Sequence, residues 1–219
     1  MGTIRVYHFL RAKDALDDIK KLRIKISEVD QLNDPFELWC VALDDRQLRE
    51  RLRDYKRTMS DRFGLLCFCG GWSNPLLWSH YADKHRGMCL GFDIDEDTVK
   101  SVKYVKDRPS VGPTLIEDLK ALLDHLLWTK YIDWQYEEEL RAWVQFDERE
   151  PITKFYFYDF GERLQLKEVI AGPLCEVTEM EIRDALGATQ DVDMIKARLA
   201  FKTFRVVRKG WRSDTEDGR

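Results

Sequence analysis

Three glutamates in a row, Glu137 to Glu139, precede Arg141 in the stretch "WQYEEELRAWVQF", Trp134 to Phe146. Leu140, Ala142, Val144 and Phe146 alternate with Glu139, Arg141, Trp143 and Gln145, the period of a strand with one buried face. On such a strand Glu137, Glu139 and Arg141 point the same way. Carboxylates are thinned out of sheets, so two readings stand: a solvated edge carrying a cross-strand ion pair, or the lining of a site. In a site, Arg141 is the counter-charge that keeps the carboxylates ionised. An ionised carboxylate there takes up a proton or stabilises positive charge as it develops.

Other groups capable of chemistry are fewer. Of the four histidines, His8 shares a strand face with Ile4 and Val6, the pattern of a core residue unless that face opens at a site. His125 falls on the polar side of its helix. Cys67, Cys69, His80 and His85 lie close in sequence, but a Cys-x-Cys step on a strand is not the spacing of paired zinc ligands, and no second cysteine pair follows. The chain has no G-x-S-x-G elbow. "CGGWSN" lacks the lysine of a phosphate loop, and no dinucleotide fingerprint occurs. Two basic stretches remain. "RQLRERLRDYKR" sets Arg46, Arg49, Arg51, Arg53, Lys56 and Arg57 against Glu50 and Asp54. "KTFRVVRKGWR" carries Lys202, Arg205, Arg208, Lys209 and Arg212 with Phe204 and Trp211 and no acid. The second suits a nucleic-acid backbone with stacked bases, or else a solvated face.

The elements that must position these residues follow from periodicity and turn chemistry. "TIRVYHF" (3–9) reads as a strand, followed by a short amphipathic helix through Ala15, Leu16, Ile19 and Leu22 and a strand at "RIKIS". "QLNDPFE" is a turn, because Asn and Asp bond their own backbone and Pro fixes φ. Leu48, Leu52, Tyr55 and Met59 make the narrow seam of a surface helix over 44–59. "GLLCFC" and "GMCLGFD" are strands flanking a helix that starts at Pro75. A helix opens with a Thr114 and Glu117 capping box and carries Leu115, Leu119, Leu122 and Leu126 on one face. The last third offers aromatic "KFYFYDF", a strand at "KEVIAGP", a helix over 178–186 capped by Thr178 and Glu181, a helix near 191–200 and a strand at "FKTFRVV".

At 219 residues and 44% hydrophobic, the chain is expected to form one domain over 1–212 with a disordered tail, 213–219. The net charge of -4 gives no global pull toward nucleic acid or anionic lipid. No long apolar run or signal-peptide h-region occurs, and the five cysteines sit mostly among apolar neighbours, so a cytoplasmic chain without a membrane partner is expected.

Read in order, "VYHF", "LNDPFE", "GLLCFC", "WSHYADKHRGMCLGFD", "WQYEEELR" and "LKEVIAGP" resemble the motif series of a bacterial and phage-associated family known as domain-of-unknown-function family 2971, across about residues 4 to 175. The layout in turn resembles the ADP-ribosyltransferase fold of the diphtheria-toxin and poly-ADP-ribose polymerase type, with a His on the first core strand, a Tyr on a short helix between two later strands and a Glu heading another strand. This resemblance implies an α+β chain: a single ADP-ribosyltransferase-like domain of split mixed and antiparallel sheets flanked by helices. It implies NAD as substrate, gripped by His8 with neighbouring Tyr7, by Trp78, Ser79 and Tyr81 of "WSHYA", and by Arg141. Glu139 would act at the anomeric carbon, with Glu137 orienting or deprotonating the acceptor. No glycine follows His8, where many polymerase-type members have one. The implied role is a toxin or anti-phage effector modifying nucleic acid, ahead of protein because of Arg205, Arg208, Lys209 and Trp211, with an antitoxin as a candidate partner. An NAD glycohydrolase, a non-catalytic nucleic-acid-binding module and, more distantly, a metal nuclease are the competing expectations.

Overall fold

The computed structural model describes residues 2–42, 45–110, 122, 125–189, 191–209 and 211. The architecture is mixed α+β, with parallel and antiparallel strand pairs and several helices. Strand β1 (Thr3–Leu10) leads into helix α1 (Ala12–Lys21), which buries Ala15 and Ile19 and stops at Leu22, a left-handed residue with φ 52°. The expected "RIKIS" strand is two short pieces, β2 (Arg23–Lys25) and β3 (Ser27–Glu28). Helix α2 (Arg46–Ser60) begins where the Asp45 side chain accepts from the Leu48 N–H, satisfying a donor the helix end leaves open. Its seam buries Leu48 and Leu52.

Strand β4 (Phe63–Cys69), helix α3 (Pro75–Tyr81) and strand β5 (Met88–Asp95) follow, with Asn74 capping α3 and Pro75 in its first turn. Short strands β6 (Lys100–Ser101), β7 (Lys103–Val105) and β8 (Thr129–Tyr131) precede β9 (Glu139–Gln145). Then come β10 (Phe157–Asp159), β11 (Leu164–Ala171) and helix α4 (Glu179–Leu186), whose capping box of Thr178 and Glu181 is formed in both directions. Strands β12 (Asp193–Leu199) and β13 (Val206–Arg208) end the described fold.

Two expectations need correction. Residues 193–199 form a strand, not a helix, because β12 lies parallel to β11 with Ile170 opposite Ile195, and Ile195 and Ala197 face inward two residues apart. The final strand is also shorter than "FKTFRVV": only Val206 and Val207 of that stretch are in it, and residues 201–204 make the bend before it. The Thr114 and Glu117 capping box, Leu115 and Leu119, and the tail 213–219 lie outside the described residues.

The chain, read from sequence as one domain, divides into two compact units: Met1–Ile24, Phe68–Glu96 and Tyr158–Arg219 in the first, Lys25–Cys67 and Asp97–Phe157 in the second. In the first unit the strand order is β13-β12-β11-β5-β1, and Tyr7 of β1 also pairs with Cys69 at the end of β4. Arg5, Tyr7 and Phe9 lie on one face of β1 opposite Asp93, Gly91 and Cys89; Val6 and His8 lie on the other, opposite Phe92 and Leu90. Helix α3 covers the end of the first face by setting Trp78 edge-on to Phe9 at 5.0 Å. Gly91 is required where it stands, since a Cβ there would meet Glu168 at 2.9 Å and the Tyr7 ring at 3.0 Å.

The second unit has the order β3-β4-β9-β6 and a parallel pair, β7 with β8. Its core gathers Val29, Leu38, Val41, Leu48, Leu52 and Leu65 with Leu122, Leu126 and Leu127.

Candidate functional site

Glu139 is the first residue of β9, so the strand begins two residues after Glu137, which the alternating pattern placed on the same face. Glu137 closes a 3-10 turn, Ile132–Glu137, and is not on the strand. Between them Glu138 takes the left-handed conformation, φ 45° and ψ 48°, and donates its N–H to the Gln135 carbonyl. A left-handed non-glycine residue costs roughly 1–2 kcal/mol, and here it turns Glu137 and Glu139 inward while Glu138 itself faces solvent.

The charged face of β9 is neither solvated nor an edge. Glu139 and Arg141 are 6% and 1% exposed, whereas Leu140 and Val144 on the other face are half-buried. Arg141 grips Glu139 with two parallel bonds, Nε to Oε1 at 2.7 Å and Nη2 to Oε2 at 3.0 Å, the fork geometry that suits a carboxylate. Its Nη1 donates to Glu37 Oε1 at 2.5 Å and to the Leu127 carbonyl at 2.9 Å. Lys130 on β8 donates to Glu137 at 2.5 Å and to Glu139 Oε2 at 3.1 Å, with its ammonium 4.8 Å from the Trp134 ring centre. Tyr104 on β7 accepts the Glu139 N–H at 2.9 Å, and the Cys67 thiol bonds the Glu139 carboxylate. Glu37 is held by the "NDPFE" turn, in which Asp34 accepts from the Phe36 N–H through its side chain and from the Glu37 N–H through its carbonyl.

Three carboxylates therefore share two cations in a space closed to water. Burial alone would raise Glu139, but Arg141 and Lys130 outweigh it and hold the carboxyl at about 2. Glu37 moves the other way: burial raises it by more than Arg141 offsets, and the Glu139 charge adds to the rise. Lys130 is raised because Glu139 and Glu137 overcome the burial that would lower it. Burial, with Glu139 adding to it, pushes the Tyr104 hydroxyl up to about 12 and the Cys67 thiol well up. Lys130 also lines a pocket of about 240 Å³ in the same unit, bordered by Asp34, Phe36, Cys40, Arg108 and Tyr131. The Arg108 guanidinium lies 4.5 Å from the Phe36 ring centre.

Of the residues singled out in sequence, Glu137, Glu139 and Arg141 come together in this centre. In the first unit, His8 is half-buried and meets the Phe68 ring edge-on at 6.0 Å. Tyr7 points to the opposite face, where burial and Glu168 push its hydroxyl up to about 12. Tyr81 is the last residue of α3 and half-buried, Ser79 is exposed, and Trp78 is fully buried with its Nε1 bonding the Trp72 carbonyl at 2.6 Å. Thus Trp78 is a packing residue, on the face of β1 that carries Tyr7 and not His8. Among the basic residues, Arg208 is ion-paired with Asp193, Lys209 donates its N–H to the Lys196 carbonyl, and Lys196 sits 5.9 Å from the Trp211 ring. Arg205 is exposed. Sequence reasoning passed over Glu37, Lys130 and Tyr104 and weighed Cys67 only as a metal ligand; only the "NDPFE" turn signalled a fixed geometry at Glu37.

No known protein family, curated protein or solved structure matches the chain. Among the described residues, no group of three or more His, Cys, Asp or Glu side chains is arranged to hold a metal ion, and no helix is long and apolar enough to cross a membrane.

Proposed function

We propose that the chain is an NAD-dependent ADP-ribosyltransferase of the kind its motif series resembles, acting as a toxin or anti-phage effector, with Glu139 as the carboxylate that stabilises the reacting sugar. The observation that carries this reading is an ionised, preorganised carboxylate at the head of β9, held by Arg141 and Lys130. Breaking the ribose–nicotinamide bond returns the electron pair to the cationic ring nitrogen, so nicotinamide leaves neutral and the positive charge passes to an oxocarbenium-like sugar, where a fixed carboxylate beside the anomeric carbon stabilises it. The acceptor's nucleophile then bonds the anomeric carbon and gives its proton to Glu137, or to solvent.

Two further placements support the reading: His8 lies on the first strand, and Tyr81 ends a short helix between β4 and β5. The Glu139 carboxylate already accepts two bonds from Arg141, one from Lys130 and one from Cys67. A ribose hydroxyl gains its bond by replacing the thiol, the weakest of those donors.

The test is incubation of the purified chain with adenine-labelled NAD and RNA, DNA and protein acceptors. Label on a macromolecule, lost in Glu139→Gln and in Tyr81→Ala, is the expected result. Full transfer by Glu139→Gln removes that residue's role. Free ADP-ribose with no labelled macromolecule identifies a glycohydrolase, and intact NAD overturns the reading. Tyr81 lies outside the buried charge centre, so its variant separates lost chemistry from lost fold.

A further inference from the structure

The bend between β12 and β13 is closed by the Ala200 N–H donating to the Arg205 carbonyl at 2.9 Å, and it displays two phenylalanines to solvent. Phe201 is 90% exposed and Phe204 98%, with Leu199 beside them at 56%. Single exposed apolar residues are ordinary, but a group of them at one loop tip marks an interaction surface. The charge around them is one-sided. From Lys196 to Arg212 the sequence holds seven Lys and Arg and no Asp or Glu, in a chain whose net charge is -4. The Arg198 guanidinium lies 4.5 Å from the Phe201 ring centre, and Lys202 and Arg205 are exposed at the tip. Farther down the ribbon, Arg208 is neutralised by Asp193.

We propose that this hairpin tip binds single-stranded nucleic acid, stacking bases on Phe201 and Phe204 while Arg198, Lys202 and Arg205 meet the phosphates. Flat rings with cations at hand suit a partner that is at once aromatic and anionic. A duplex, with its bases already stacked on one another, offers the rings nothing. A lipid bilayer fits less well, because Lys202 stands between the two rings and would be drawn into the apolar layer with them. The proposal extends the sequence expectation in a specific way: it moves the contact from Arg208, Lys209 and Trp211 to the tip, and it holds whether or not the chain turns over NAD.

Fluorescence anisotropy of the full chain with a labelled mixed-sequence 12-mer, as single-stranded RNA, single-stranded DNA and duplex, provides the test. Single strands are expected to bind in preference to duplex, with an affinity that falls steeply with salt. Phe201→Ala and Phe204→Ala should each weaken binding roughly fivefold or more while leaving the salt slope unchanged. Replacing Arg198, Lys202 and Arg205 by Gln should lower the log-log slope by about 0.7 per residue. Equal binding of duplex, or unaltered binding by the double phenylalanine variant, overturns the proposal. So does sedimentation with phosphatidylserine vesicles in the absence of single-strand binding. Because Phe201, Lys202, Phe204 and Arg205 are exposed and Arg198 is only half-buried, circular dichroism of the variants should match that of the parent chain.

Discussion

The charge centre of the second unit and the β12–β13 hairpin of the first are both rich in ionic groups, and they handle charge in opposite ways. Around Glu139 every ion is matched at close range inside the protein: Arg141, Lys130, Glu37 and Glu137 are all 5% exposed or less. At the hairpin tip the cations have no acid near them in sequence and the rings lie in water. The first arrangement matches its charges within the fold, which stabilises the fold and holds the Glu139 carboxylate in one position; the second leaves its cations facing solvent. Removal of a residue should therefore register in folding in one case and in binding in the other.

The largest effect is expected at Arg141. Arg141→Met leaves Glu139 and Glu37 buried without their shared partner and should cost about 3–5 kcal/mol in urea unfolding. A loss below about 1 kcal/mol would show that water enters the centre and would remove the contrast with the hairpin.

A pH series sharpens the same point. Glu139 titrates lower folded than unfolded, so its contribution is present above the unfolded value and is lost as pH falls toward about 2. Glu37 is raised, so its contribution has the opposite sign, present at low pH and lost as pH rises through its folded value. Glu139→Gln should flatten the acid limb of the stability curve, and Glu37→Gln should leave stability at neutral pH equal or higher. A lower stability in Glu37→Gln at neutral pH would mean that Glu37 is held ionised after all.

The smallest effects belong to the surface. Phe201→Ala with Phe204→Ala should change unfolding stability by less than about 0.5 kcal/mol while impairing single-strand binding. Asp193→Ala, which removes an exposed ion pair, should cost about 0–1 kcal/mol and disappear into the noise at high salt. A large destabilisation by either would make the hairpin a structural element like the charge centre.

Local signals in the sequence carried much of the fold. The Thr178 and Glu181 capping box, Pro75 at a helix start, and the alternation in "TIRVYHF" each specify an element within a few residues, and each element is present. Long-range pairing was not legible. Met194, Ile195 and Leu199 have helix-like spacing, yet the ladder with β11 makes 193–199 a strand, since tertiary partners override weak propensity. The charged face of β9 looked solvated or functional because its partners come from afar: Glu37 lies 104 residues from Arg141 in sequence. Lys130 sits in "WTKYID", which carries no motif at all. Glu137, Glu139 and Arg141 were thus identifiable as a group, but not the cations and carboxylate that complete it.

Glu138 has a side chain in water and takes no part in the ion pairs, yet its backbone handedness aims its two neighbours at one ammonium. A surface position thereby governs the interior through torsion alone. Glycine or asparagine, at ease in that conformation, would preserve the arrangement, while valine or isoleucine would swing one carboxylate away and dismantle it without altering any of its members.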